Sequence, residues 1–233
     1  ISKSGTTLET LTNFCIIFYK NLFKNKLIII TENKDSALMQ MANKYDAEVV
    51  EHKEFIGGRY SVLSEVGMLP AALMGLNVEK FRNLNKLIKN KNFISCLIYN
   101  VACIFTLERA GIRNSVMMNY DSKLNDLCYW YQQLTAESLG KKGKGITPII
   151  SFGPKDHHSV LQLYLDGPKD KFFTFFTSKK QENKYRISKT IIPNSIKFLR
   201  NKNLYSLIEA QSLAIKNIFN FKKIPFRQVI LNK

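Results

Sequence analysis

The sequence predicts an α/β protein whose mostly parallel sheet is covered on both faces. Short, nearly continuous apolar runs of the kind that suit buried parallel strands recur along the chain. Longer stretches with helical spacing of apolar residues separate them. At 233 residues there is ample material for a buried core, as one large domain or two small ones. Hydrophobic residues make up 45% and charged residues 23%, which excludes a disordered or fibrous chain.

In chain order, helical patterns are expected over Leu8–Phe23, Ser36–Tyr45, Ser61–Leu76, Leu84–Leu107, Lys123–Leu139, Ser159–Tyr164 and Leu204–Phe219. Strands are expected at Leu27–Thr31, Ser115–Tyr120, Ile146–Phe152, Phe172–Thr177 and Gln228–Leu231. The long helical stretch Phe81–Gly111 reads as a bridge between two α/β units. Ser178–Asn203, rich in Lys and Asn, reads as a surface connection with few fixed contacts.

The formal net charge of +17 raises nucleic acid, an anionic surface and an anionic small substrate as partners. The lysines are scattered (Lys34, Lys44, Lys53, Lys86, Lys89 and Lys91 among them), and no zinc finger, RNA-recognition signature or continuous basic helix accompanies them. A solvated basic surface is therefore expected, with no nucleic-acid partner. Phe93–Phe105, the longest apolar stretch, is short and broken by Asn100, so a core helix is expected and no membrane span. Cys15, Cys96, Cys103 and Cys128 lack metal or redox spacing and read as buried thiols of a reducing compartment.

Chemistry gathers in four segments. Ser2-Lys3-Ser4-Gly5-Thr6-Thr7-Leu8-Glu9-Thr10 opens a helix with capping-box spacing between Thr6 and Glu9. Its hydroxyls, the Lys3 charge and the helix N-terminus suit an anion, and an ordinary cap explains the segment as well. Gly57-Gly58-Arg59-Tyr60-Ser61 combines a tight turn with one guanidinium, and is also what a plain turn with a surface arginine looks like. On the helix 123–139, Gln133 and Glu137 share a face with Trp130 one turn earlier. A carboxylate among such neighbours suits a base that takes and returns a proton; a solvated glutamate near a helix end fits too. Asp156-His157-His158-Ser159 follows a strand and a Gly-Pro turn, and either histidine can exchange protons near neutral pH.

Taken together and in this order, the strings Ser-Lys-Ser-Gly-Thr-Thr-x-Glu-Thr, Gly-Gly-Arg-Tyr-Ser-Val-x-Ser and Gln-Leu-Thr-Ala-Glu-Ser-Leu-Gly-Lys, with the histidine loop, resemble the glucose-6-phosphate isomerase family. The resemblance implies a three-layer α/β/α sandwich of two sugar-isomerase (SIS), flavodoxin-like domains, the first incomplete, over residues 1–82 and 83–233. It implies that Ser2, Lys3, Ser4 and Thr7 hold a sugar phosphate, that Gly58 and Gln133 contact substrate, and that Arg59 offsets an enediolate. Glu137 would move the proton between C2 and C1. The family's single histidine lies four residues before a glutamine, which with Gln162 selects His158 for ring opening, supplied across a homodimer interface. Glucose 6-phosphate and fructose 6-phosphate are the implied substrates, in the cytoplasm, with no metal or organic cofactor and no membrane. The family's glycine-rich phosphate segment would precede Ile1 and its C-terminal lysine would follow Lys233, so the chain is expected to be part of a longer one. A non-catalytic SIS sugar-phosphate sensor and a dual glucose/mannose phosphate isomerase are the alternatives.

Overall fold

Runs of β-branched and aromatic residues form strands that pair only in parallel among the described residues. The computed structural model describes residues 1–19, 27–178, 186–188 and 190–231. It divides into two compact units, Ile1–Leu97 and Ile98–Lys233.

In the first unit, α1 (Leu8–Tyr19) is followed by β1 (Ile28–Thr31), α2 (Ala37–Lys44) and β2 (Glu48–Glu51). The expected end of α1 at Phe23 lies outside the described residues. β1 and β2 pair in parallel with Ile28 opposite Glu48, and α2 is the crossover that a parallel pair requires. Ser36 starts α2, its hydroxyl accepting from the Met39 amide at 3.3 Å. Phe14, Ile29, Leu38 and Ala42 form the core between these elements. Because the Thr31 carbonyl takes the His52 amide beyond β2, the Ile30 carbonyl faces the opposite edge, where it accepts from Ser2 at 3.1 Å. Residues 1–3 therefore lie along β1. β2 is absent from the expected strands, since Glu-Val-Val-Glu is short and carries charge at both ends.

A 3-10 helix (Gly58–Leu63), α3 (Glu65–Leu73), α4 (Val78–Arg82) and α5 (Asn85–Ile88) complete this stretch. The single helix expected over Ser61–Leu76 is broken at Ser64. That residue leaves helical backbone and caps α3, its hydroxyl accepting from the Val66 amide at 3.4 Å.

The division between units falls within α6 (Lys91–Arg109). The second unit continues through β3 (Asn114–Asn119), α7 (Asn125–Leu139), β4 (Thr147–Phe152), α8 (Lys155–Ser159), α9 (Leu161–Asp166), β5 (Lys171–Ser178), α10 (Leu204–Phe221) and β6 (Phe226–Leu231). Its sheet has the order β4-β3-β5-β6, the doubly wound order of flavodoxin-like folds, with the switch point between β3 and β5. Alternate residues point to opposite faces. Val116, Met118, Phe173 and Phe175 meet Tyr164, Ile215 and Phe219 of α9 and α10. On the other face Met117 and Phe176 meet Cys128 of α7, and Phe172 with Ile112 and Ile146 meets Ile104 and Leu107 of α6. The expected α/β sheet covered on both faces is realised here as three layers.

Two expectations fail. α6 has no buried residue, and Phe93, Leu97, Ile98, Tyr99, Val101 and Phe105 are exposed, because only its Ile104–Leu107 side reaches the sheet. Of the cysteines, Cys128 alone is buried, and burial pushes its thiol up to about 11; Cys15 and Cys96 are exposed. The connection after β5 is also less loose than expected where it is described. Ile187 donates to Lys202 at 2.8 Å and accepts from Asn201 at 3.1 Å; residues 179–185 and 189 lie outside the described residues.

Phe219 is the keystone of the α10 face, its ring 4.6 Å from Phe173, 5.6 Å from Phe175 and 6.2 Å from Phe226. Phe219→Ala is expected to destabilise the protein by about 3–5 kcal/mol, read as a lower urea midpoint.

Candidate active site

The Ser2–Thr7 loop is built by its own hydroxyls. Ser2 is buried, and its Oγ lies 2.7 Å from Thr7 Oγ1 and accepts from the Thr7 amide at 3.4 Å. Ser4 Oγ repeats this arrangement with Thr6, at 2.7 Å and 3.4 Å. The Leu11 amide donates to the Thr7 carbonyl, so Thr7 is the N-cap of α1, one residue after the Thr6 expected to cap it. Gly5 has φ +69, and a Cβ there would sit 2.1 Å from Ser36 Oγ. Only glycine lets the loop lie directly on the N-cap of α2. Its carbonyl then accepts from the Leu38 amide at 3.0 Å. Ser2 is thus joined to Thr7 and Ser4 to Thr6, just ahead of the first turn of α1.

Lys3 points elsewhere. Its ammonium donates to the carbonyls of Glu54 at 2.8 Å and Ile56 at 2.6 Å and pairs with Glu32 at 3.3 Å, three acceptors for three hydrogens. Glu32 also pairs with Lys34 at 2.5 Å. The Lys34 hydrogen bond holds the Glu32 carboxyl below its usual range, against burial and with help from Lys3. Lys3 therefore ties the hydroxyl loop to residues 54–56, which lead into Gly57, Gly58 and Arg59.

The arginine loop winds into the 3-10 helix from Gly58. Ser61 Oγ donates to the Gly58 carbonyl at 2.6 Å and Ser64 Oγ to the Ser61 carbonyl at 2.8 Å. Arg59 is half-buried, with its guanidinium 4.6 Å over the Tyr60 ring. Gly67 permits the first turn of α3 to close on this helix, since a Cβ there would lie 2.1 Å from the Val62 carbonyl oxygen. Beneath the loop lies His52, to which the sequence assigns no role. It is 1% exposed, with Nε2 3.1 Å from the Ile56 carbonyl and Nδ1 paired with Glu65. Burial alone would raise the Glu65 carboxyl, yet the hydrogen bond from His52, backed by backbone and Ser64 contacts, brings it below the usual range. No local signal marks His52, because one partner is a main-chain oxygen and the other lies 13 residues away.

In the second unit, Gln133 and Glu137 are exposed on α7, and Gln133 Nε2 donates to Glu137 Oε2 at 3.4 Å. Gln132 donates to the Pro148 carbonyl at 3.1 Å, fixing this part of α7 beside the start of β4. Gly140 stops the helix. The histidines follow the end of β4. Asp156 accepts from the Phe152 amide at 2.7 Å and from the hydroxyls of Ser151 and Ser159 at 3.3 Å, which shapes the turn. His158 is exposed. His157 is half-buried, 2.6 Å through Nε2 from the Tyr120 hydroxyl. Burial raises the Tyr120 phenol, so it faces the ring as a protonated hydroxyl. Burial likewise lowers the His157 imidazole, opposed by Asp156.

These residues do not all converge. α7 starts at the carboxyl end of β3, where Asn119 donates to Asn125 at 2.9 Å. Glu137 lies twelve residues on, about 18 Å along the axis at 1.5 Å per residue. His158 stays at the carboxyl end of β4, beside that of β3. Glu137 and His158 of one chain thus sit at opposite ends of the same sheet.

A model of the phosphoglucose isomerase family matches residues 1–194. The chain belongs to the phosphoglucose isomerase family. A relative in this family, glucose-6-phosphate isomerase of Methanocaldococcus jannaschii, is 35% identical over 243 residues, covering 100% of the chain and 59% of that protein. The enzyme of the same name from Rubrobacter xylanophilus is 37% identical over 184 residues, covering 73% of the chain and 42% of that protein. The chain therefore spans roughly half the length of these curated relatives. Among solved structures, a hypothetical protein from Thermus thermophilus superposes with TM-score 0.83 at 27% identity, over 98% of this chain and 58% of that one. Among the described residues no helix is long and apolar enough to cross a membrane, and no cluster of three His, Cys, Asp or Glu side chains could hold a metal ion.

Gly5→Ala is expected to cost at least about 1–2 kcal/mol for the left-handed backbone alone, before the collision with Ser36, and to lower the melting temperature. His157 should titrate below about 6.5 by NMR, the ordinary imidazole value. Its folded value is depressed, so the stability it confers is complete above the unfolded value. As pH falls from there towards the folded value, the unfolded chain binds a proton that the folded chain refuses, and stability should decline.

Proposed function

We propose that the full-length protein interconverts glucose 6-phosphate and fructose 6-phosphate by proton transfer. The observation that carries this reading is the Ser2–Thr7 loop, locked on the α2 cap by Gly5 and tied by Lys3 to the segment that presents Arg59. Hydroxyls of Ser2, Ser4 and Thr7 and amides of the first turn of α1 would take the phosphate oxygens. Lys3, with its hydrogens committed, would add field rather than direct contact. Holding the phosphate orients the sugar and removes the entropy cost of aligning its reactive carbons.

Three proton and charge operations follow. His158 opens the pyranose by moving a proton between O5 and O1. Glu137, oriented by Gln133, takes the C2 proton and returns it at C1. Arg59, with the close backbone approach that Gly58 allows, offsets the negative charge of the cis-enediolate between these steps. The placement of Glu137 and His158 at opposite ends of one sheet supports a homodimer in which the second copy supplies His158. An active site needing both groups is incomplete within a single chain.

The test compares the full-length protein with Glu137→Gln in fructose 6-phosphate conversion. The variant is expected to lose about 10²–10⁴-fold in kcat, the usual contribution of a general base, while still binding sugar phosphate. Equal turnover would place the base elsewhere. Binding without turnover in either protein would favour a sugar-phosphate sensor.

A further inference from the structure

The arginine loop is closed at its base by one side chain. The His52 ring touches the chain immediately before the loop, at the Ile56 carbonyl, and immediately after it, at Glu65, the first residue of α3. Residues 57–64, including Arg59, are the segment held between these two feet. His52 is itself placed by the sheet, since its amide donates to the Thr31 carbonyl at 2.8 Å at the end of β1. Both ring nitrogens face acceptors, the Ile56 carbonyl and the Glu65 carboxylate, so a hydrogen on either one makes a bond at the base of the loop.

The Ile56 carbonyl is a shared node. It accepts from Lys3 Nζ at 2.6 Å on behalf of the hydroxyl loop and faces His52 Nε2 at 3.1 Å on behalf of the sheet. Two lone pairs on one oxygen allow both bonds at once. Lys3 is anchored in turn through its own carbonyl, which accepts from Thr31 Oγ1 at 3.3 Å and the Glu32 amide at 3.0 Å. The hydroxyl loop, the carboxyl ends of β1 and β2 and the start of the arginine loop thus form one closed circuit of hydrogen bonds.

We propose that His52, with Glu65, is a positioning residue that staples the base of the Arg59 loop and, through the Ile56 carbonyl shared with Lys3, registers Arg59 against the phosphate loop. It touches no substrate. The proposal rests on the isomerase reading above. Its consequence is selective: removing the staple leaves the phosphate hydroxyls in place and lets the guanidinium drift from the carbons where charge develops.

The experiment uses the full-length protein with His52→Leu, His52→Gln and Glu65→Gln. Three quantities are read: kcat and KM for fructose 6-phosphate, inhibition by inorganic phosphate, and inhibition by a pentonate 5-phosphate whose carboxylate stands in for the enediolate. His52→Leu is expected to lower kcat by about 10–100-fold, the scale set by a misplacement near 1 Å. The pentonate should weaken in parallel, with KM and phosphate inhibition changed less than about twofold. His52→Gln, whose amide can still donate to Ile56, should recover part of the loss. Glu65→Gln keeps an acceptor for Nδ1 without the charge; it should move kcat and pentonate binding in the same direction, and it carries the test should His52→Leu fail to fold. Wild-type kcat in a folded His52→Leu would overturn the proposal. So would equal loss of phosphate and pentonate binding, which would make His52 a general support of the fold. An inactive wild-type protein would instead defeat the isomerase reading, and the affinities of phosphate and the pentonate, measured directly by calorimetry in wild type and variants, would still judge the staple.

Discussion

Parallel strand pairing is the constraint from which the rest of the molecule follows. Strands that run the same way cannot be joined by a tight turn, so each pair needs a crossover, and the crossover helices cover the sheet. All carboxyl ends then lie on one edge, where backbone groups run out of ladder partners. Polar side chains gather there to satisfy them. In the first unit that edge holds Thr31, Glu32 and His52, with the Ser2–Thr7 loop beside it. In the second it holds Asn119, Asp121, Ser178 and the Asp156 turn.

The same geometry separates Glu137 from His158. A helix returning from the carboxyl edge must finish at the amino edge, so α7 carries Gln133 and Glu137 away from the strand ends. The histidine turn belongs to the carboxyl edge because it directly follows β4. No side-chain choice alters this once the strands are parallel.

Two glycines show how closely the backbone is packed around the candidate site. Gly5 places the hydroxyl loop on the cap of α2, and Gly67 lets the first turn of α3 close on the 3-10 helix behind Arg59. Gly5 lies against the Ser36 side chain and Gly67 against the Val62 carbonyl, and a Cβ at either position would collide. The positions of the hydroxyl loop and the arginine loop are therefore set by backbone geometry first, and by Lys3 and His52 second.

Sequence periodicity was sufficient for the fold class, for β1 and β3–β6 and for most of the helices, because strand and helix periods survive in the spacing of residues such as Val116–Met118 and Ile215–Phe219. The hydroxyl loop, the Gly-Gly-Arg turn and the Gln133–Glu137 pair stood out through the family resemblance of their strings and not through periodicity, since each string alone also suits a cap, a turn or a solvated helix end. Periodicity missed β2, whose flanking glutamates mask two apolar residues, and misjudged α6, whose apolar positions do not turn towards the sheet. Only the tertiary structure could decide that the Lys3 ammonium joins residues 54–56, that His157 pairs with Tyr120, and that His52 holds both feet of the arginine loop. Each of these depends on a main-chain carbonyl or on a residue brought close by a crossover, and neither leaves a trace in local residue spacing.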